Sequence, residues 1–124
     1  MAIVKGYVVR YDIPGFNNLR FMKGCFDKNN GVTIPVTKEA WIPEYSDIIG
    51  EAKLFLRKDG LYTEAEVDFD KIDYLPKGIG FFGNHVEYGE DRSQVKNVLV
   101  RSLSLLSTDN VKTFSIESIE NDSQ

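Results

Sequence analysis

Residues 78–107, GIGFFGNHVEYGEDRSQVKNVLVRSLSLLS, decide the fold of this 124-residue chain. The stretch opens with a glycine-punctuated apolar run, turns through polar residues at 88–93, and returns as a long apolar-rich run at 95–106. Val, Leu, Phe and Tyr favour strands, and the glycines would weaken a helix. The stretch therefore predicts two strands joined by a charged turn.

The segment upstream of this stretch contains the clearest hairpin signal in the chain. Residues 48–57 and 61–69 flank Lys58-Asp59-Gly60, and Asp-Gly between alternating strands is typical of a tight hairpin. The second arm alternates an apolar set with a mostly charged set, which predicts a sheet with one solvent-exposed face. The set predicted to face inward is Leu61, Thr63, Ala65, Val67 and Phe69, and the outward set is Tyr62, Glu64, Glu66 and Asp68.

The remaining segments also favour strands over helices. Residues 2–11 and 32–36 are β-like, with Pro35 restricting the second to an edge or a strand end, and 111–119 is a further strand candidate. Hardly any segment has an apolar period of 3.6 residues. The sequence thus predicts a mainly β fold with little helix, a small closed or half-open barrel built of hairpins. It forms a single domain over residues 1–116, and the acidic tail at 117–124 is expected to fray.

Composition and charge exclude several classes of function. Nineteen acidic residues outnumber fifteen scattered basic ones, giving a net charge of −4 with no basic run, so no nucleic-acid partner is expected. No apolar run approaches the roughly 18 residues of a membrane-spanning helix. The N-terminus lacks the features of a signal peptide, which predicts a cytosolic protein. Cys25, the single cysteine, is expected to be a small buried hydrophobe.

Five short motifs follow one another across roughly residues 3–114. They are KGCFD (23–27), IGEAKL (49–54), DGLYTEAEV (59–67), GIGF (78–81) and SLSLLS (102–107), the last followed by DN (109–110). In order and spacing the chain resembles the prohead (capsid maturation) protease family of tailed phages. The resemblance implies a β-barrel like that of the herpesvirus assemblin.

The departures from this family fall on its catalytic positions. Where the resemblance places a histidine, the chain reads Ile-Pro-Val-Thr-Lys-Glu-Ala at 34–40, with Lys38 in that segment. The family's serine is replaced by Gly78, and its acidic residue is replaced by Ser102. Acyl transfer needs a nucleophile and a base in mutual reach. The resemblance therefore implies a pseudo-protease, a head-morphogenesis protein of a phage or prophage.

Under this hypothesis the partner is a phage capsid or scaffold protein, or a second copy of the chain. The protein would act in the cytoplasm of the bacterial host or attached to the virion, without a cofactor. Two alternatives stay open. One is an active serine peptidase with Ser104 or Ser102 as nucleophile and His85, the only histidine, as base; both serines are assigned to the inward-facing set of their strand. The other is an unrelated small β-barrel binding module.

Three further patterns have simple structural interpretations. Gly78–Gly83 reads GxGxxG, but a dinucleotide site needs a helix to follow, and the next residues are β-like. Glu66, Asp68, Asp70 and Asp73 lack the spacing of a calcium loop, so no metal is expected. Trp41 and Tyr45 share one loop and form either an exposed recognition patch or a cap on the open end of the barrel.

Overall fold

The computed structural model describes residues 1–11, 19–39, 47–107 and 116–121. Within these ranges two 3-10 turns, Asp27–Asn29 and Phe69–Lys71, accompany the strands, and no helix has the length and apolar character needed to cross a bilayer. The prediction of a mainly β fold is confirmed. The strands are β1 (Ala2–Arg10), β2 (Arg20–Phe21), β3 (Thr33–Lys38), β4 (Ile48–Arg57), β5 (Gly60–Val67), β6 (Gly78–Tyr88), β7 (Gln94–Leu106) and β8 (Ile116–Asn121).

The eight strands form one sheet, in which β7 is the branch point. Its order is β2-β7-β3-β4-β5-β1-β8, with β6 paired to the other edge of β7. Both β2 and β3 run parallel to β7 along one edge, with Arg20 opposite Gln94 and Val36 opposite Leu103. The strand predicted at 95–106 is therefore the one around which the sheet is built.

The stretch of β7 between β2 and β3 is paired by groups that belong to no strand. The Val98 N–H donates to the Cys25 carbonyl at 3.1 Å. The Asn29 side chain accepts from the Val100 N–H and donates to the Val100 carbonyl, both at 3.0 Å. Since Asn29 is fully buried, its amide takes the place of a strand residue at this point.

The core lies on one face of the curved sheet. Leu103 and Leu105 of β7 are 1% exposed and pack with Val36 of β3 and Ile79 of β6. An aromatic cluster of Phe21, Phe26 and Phe81 fills the region beside β2, with ring centroids 5.5–6.2 Å apart. Alternation along each strand sends these side chains inward and the residues between them outward.

The β4–β5 hairpin follows the prediction closely. Arg57 ends β4, Gly60 begins β5, and the ladder runs from Arg57 opposite Gly60 to Gly50 opposite Val67. Four residues of the predicted inward set are buried, while Glu64 and Glu66 are exposed. Tyr62 differs from the prediction, because it lies on the outer face but is only 6% exposed.

The two ends of the sheet, β6 and β8, approach each other at one point. The Ile116 N–H donates to the Lys77 carbonyl at 3.2 Å, just before β6 begins. Among the described residues no ladder joins β6 to β8, so the pairing gives one open sheet. Closure into the predicted barrel is not confirmed.

The acidic tail differs from the expectation that it frays. Residues 116–121 form β8, antiparallel to β1, with Val4 opposite Ile119. An ion pair joins Lys5 to Glu120 at 3.3 Å. The strand forms because β1 has a second edge that β5 does not occupy, a fact that local composition does not reveal. Residues 122–124, and 111–115 of the strand predicted at 111–119, lie outside the described residues.

Candidate functional site

The three positions that the motif resemblance aligns with catalytic residues lie on three adjacent strands. Lys38 of β3 is opposite Leu105 of β7, and Gly78 of β6 is opposite Leu106. Lys38 and Gly78 thus flank neighbouring residues of β7, two strand spacings or about 10 Å apart. Ser102 is opposite Phe82 and lies about 10 Å further along β7. Because Leu105 and Leu106 point to opposite faces of the sheet, Lys38 and Gly78 do so as well, and the structure brings none of the three positions together.

The hydroxyl groups at this location are paired with each other. The Thr37 hydroxyl donates to the Leu103 carbonyl at 3.3 Å. The Ser104 hydroxyl oxygen lies 2.9 Å from the Thr37 hydroxyl oxygen. Because a hydroxyl has a single proton, Thr37 accepts from Ser104 in this arrangement. Ser104 is hydrogen-bonded to an alcohol rather than to a base, so nothing in this pair activates it as a nucleophile.

Ser102 and Ser104 share a face, as predicted, but the assignment of that face was wrong. Leu103 and Leu105 point into the core, so Ser102 and Ser104, which alternate with them, point to the outer side of the sheet. Both serines are partly exposed. The physical reason is the apolar core on the other face, which takes the two leucines and excludes hydroxyl groups.

A tyrosine that the sequence analysis did not single out joins the ends of β3 and β7. The Tyr74 hydroxyl donates to the Leu105 carbonyl at 2.5 Å and accepts from the Glu39 N–H at 2.9 Å. The Glu39 carboxylate in turn accepts from the Ser107 N–H at 3.1 Å. Burial raises the pKa of Tyr74, against the opposing effect of its hydrogen bond from the Glu39 N–H. Tyr74 is therefore a neutral side chain that links β3 to β7, and no local sequence motif predicts this role.

His85 lies away from both serines. It is exposed, with a φ of 53°, in an irregular part of β6 where Asn84 is opposite Leu99. From Leu99, Ser102 and Ser104 are three and five residues along β7, which corresponds to about 10 and 17 Å. The register therefore does not assemble the serine–histidine pair of the peptidase alternative.

The other candidate side chains are engaged in structural contacts or lie outside the described residues. Cys25 is fully buried, and burial raises the pKa of its thiol to about 12, so a thiolate is strongly disfavoured. Asp68 accepts from the Asp70 N–H at 3.1 Å and caps the second 3-10 turn. The GxGxxG glycines lie within β6, with no helix after them. Trp41 and Tyr45 fall outside the described residues.

The chain was compared with protein-family models, with curated proteins and with solved structures, and no significant match was found. The resemblance to prohead proteases therefore depends on the sequence motifs and stays a prediction.

Proposed function

We propose that this chain is a catalytically inactive relative of the phage prohead proteases that serves as an interaction protein in head morphogenesis. It acts in the cytoplasm of the bacterial host or on the virion. Its partner is a capsid or scaffold protein of the same phage, or a second copy of the chain. The proposal combines the motif resemblance with the geometry of the degenerate positions.

One observation carries the proposal. Lys38 is paired with Leu105 and Gly78 with Leu106, so strand alternation sends the two positions to opposite faces of the sheet and no nucleophile–base pair is assembled there. Gly78 has no side chain, and the nearest serine that β7 offers is bonded to Thr37. Two observations thus support the proposed lack of peptidase activity: the glycine at position 78 and the pairing of the Ser104 hydroxyl with Thr37.

The proposed docking element is β6, which forms one end of the sheet. Among the described residues its ladder partner is β7 alone, and we infer that a strand of the partner adds along its other edge. Phe82, Val86 and Tyr88 are exposed along it, at 37%, 41% and 50%. Edge strands with apolar side chains are natural sites for strand addition by a partner.

Labelling with a fluorophosphonate tests the absence of catalysis. We expect the native protein to remain unlabelled, because no described serine is hydrogen-bonded to a histidine. The Ser104→Ala variant is the matched control. Labelling of the native protein that disappears in this variant would support the active peptidase and contradict the proposal.

Co-purification tests the partner. The tagged chain is co-expressed with the capsid and scaffold proteins of the phage or prophage cluster that encodes it, and its mass is measured alone by light scattering. We expect a complex, or a homodimer, that Phe82→Ser weakens. Leu75→Ser, at a residue 66% exposed but outside β6, is the control. A monomer that binds none of these proteins would overturn the proposal.

A further inference from the structure

The outer face of the sheet has an aromatic row near the tip of the β4–β5 hairpin. Tyr62 of β5 lies between Tyr7 of β1 and Phe55 of β4 in the two ladders. The Tyr7 and Tyr62 rings meet edge to face, with centroids 5.1 Å apart. This row explains why Tyr62 is buried on a face predicted to be solvent-exposed.

Arg57 covers the aromatic row. Its guanidinium carbon lies 3.5 Å from the centroid of the Tyr62 ring and 5.8 Å from that of Tyr7. The Arg10 guanidinium lies over Tyr7 as well, at 5.5 Å. Arg57 itself is exposed, and among the described residues no carboxylate is within salt-bridge distance of it. A guanidinium stacked on a ring is held in one orientation, with its N–H groups at the edge of the stack.

The hairpin tip beside Arg57 is fixed to β1. The Tyr7 hydroxyl donates to the Asp59 carboxylate at 2.7 Å, and the Tyr11 N–H donates to the Asp59 carbonyl at 3.0 Å. The Tyr7 hydrogen bond lowers the pKa of Asp59. Asp59 also interacts electrostatically with Arg10 and Arg57, and the Tyr7 hydroxyl contributes to raising the pKa of Arg57, so one carboxylate is shared among several cationic groups.

A cleft of about 610 Å³ opens at this tip, and the described residues that line it are Tyr11, Arg57, Lys58 and Asp59. We propose that this cleft binds a carboxylate side chain of an acidic peptide segment from a partner protein, with Arg57 as the bidentate donor. Lys58 supplies a second positive charge, and Tyr11 contacts the neighbouring peptide residue. The site is distinct from β6, and it does not depend on the phage assignment.

The surrounding charges favour a peptide carboxylate over a nucleic acid. Glu64 and Glu66 continue along β5 on the same outer face, and Glu51 lies opposite Glu66 on β4. Glu64 is two residues from Tyr62, or about 7 Å, which is within the screening length of roughly 8 Å at physiological salt. A polyphosphate backbone would place a charge beside each of these carboxylates, whereas a peptide can present a single carboxylate to Arg57 at the hairpin tip and meets less repulsion.

Amide chemical shifts of the whole ¹⁵N-labelled chain test the site. The probe is the peptide acetyl-Gly-Gly-Glu-Gly-Gly-amide at low ionic strength, and its Gln counterpart is the neutral control. We expect the acidic peptide to shift the amides of Tyr11, Lys58 and Asp59 and the Arg57 side-chain N–H. Arg57→Gln should weaken binding about tenfold, the effect of losing a charge-assisted bidentate contact.

Two further variants separate the specific site from general charge. Arg57→Lys keeps the charge but loses the planar fork, and we expect it to weaken binding about threefold even if Arg57→Gln perturbs the fold. Arg92→Gln removes the same charge from the exposed β6–β7 turn and should leave affinity unchanged. Each of the following would overturn the proposal: no shifts, equal effects of Arg57→Gln and Arg92→Gln, equal binding of the Gln peptide, or tighter binding of inorganic phosphate at the same amides.

Discussion

Asn29 shows how one side chain sustains the pairing of a whole strand. Its amide occupies the gap that β2 and β3 leave on the edge of β7, where it binds both backbone groups of Val100. Asn30, the next residue, instead accepts a bond from the Leu56 N–H at 3.2 Å in an exposed setting. The two neighbouring asparagines therefore have different energetic roles.

Asn29→Ala should lower the free energy of unfolding by about 2–4 kcal/mol, because it leaves a buried donor and a buried acceptor unpaired. Asn30→Ala should cost less than about 1 kcal/mol, since water replaces its contact. Urea denaturation of the two variants measures the difference. Equal costs would show that the Asn29 bonds to β7 contribute little.

Cys25 should make stability fall at alkaline pH. Burial raises the thiol pKa to about 12 in the folded chain, whereas the ordinary thiol value of 9.0 applies to the unfolded chain. Between these two pH values the unfolded chain releases a proton that the folded chain retains. Stability is therefore fully present below pH 9 and falls above it, by at most about 1.4 kcal/mol per pH unit. Urea titrations from pH 8 to 10 should show that the free energy of unfolding falls less steeply with pH in Cys25→Ala than in the native chain. Identical slopes would contradict this account.

Tyr11, whose pKa is likewise raised to about 12 by burial, contributes to this pH dependence only above pH 10.

At the scale of the element, the β4–β5 hairpin was predictable because its signal is local. An Asp-Gly turn and two alternating arms determine its ends and its faces within twenty residues of sequence. The neighbourhood of Gly50 was not predictable in this way. A Cβ at Gly50 would lie 1.9 Å from the Glu66 carbonyl oxygen, because β4 and β5 approach closely where their ladder ends.

Gly50→Ala should therefore destabilise the fold by about 3 kcal/mol or more, since backbone must move to admit the methyl group. The control is Gly80→Ala in β6, where a Cβ meets the flexible Leu106 side chain at 3.2 Å. We expect that change to cost less than about 1 kcal/mol. Thermal unfolding compares the two, and a Gly80 variant as unstable as the Gly50 variant would refute the argument from close approach.

The candidate site was only partly readable from sequence. Strand alternation predicts that Ser102 and Ser104 share a face, but it does not say which face of the strand is buried. In the structure the buried face is that of Leu103 and Leu105. The distance from His85 to the serines depends on register shifts between Phe82 and Gly83 and between Asn84 and Glu87, which no residue pattern reveals. Tyr74 acts on partners 31 and 35 residues away, so its role also required the fold.

At the scale of the whole molecule, β8 connects the last described part of the chain to the first. It pairs with β1 along Ala2–Gly6, and its first N–H reaches Lys77 at the opposite end of the sheet. Composition alone suggested a frayed acidic tail, because the pairing edge of β1 is more than a hundred residues away in sequence. Interactions of this range are the part of the fold that sequence patterns leave undetermined.

A chain that ends after residue 115 should lose about 2–4 kcal/mol of stability, the contribution of two partly buried isoleucines and one ladder. It should also self-associate, because β1 then has an unpaired edge. A chain that ends after residue 121 retains β8 and serves as the control. Calorimetry and light scattering report both effects, and a stable, monomeric shorter chain would rule out a structural role for β8.

The position of β1 between β5 and β8 has a consequence for biosynthesis. Among the described strands β1 is synthesised first and its neighbour β8 last, so one edge of β1 stays unpaired until residue 121 has emerged from the ribosome. Rare codons or a stall late in the message would prolong that exposure.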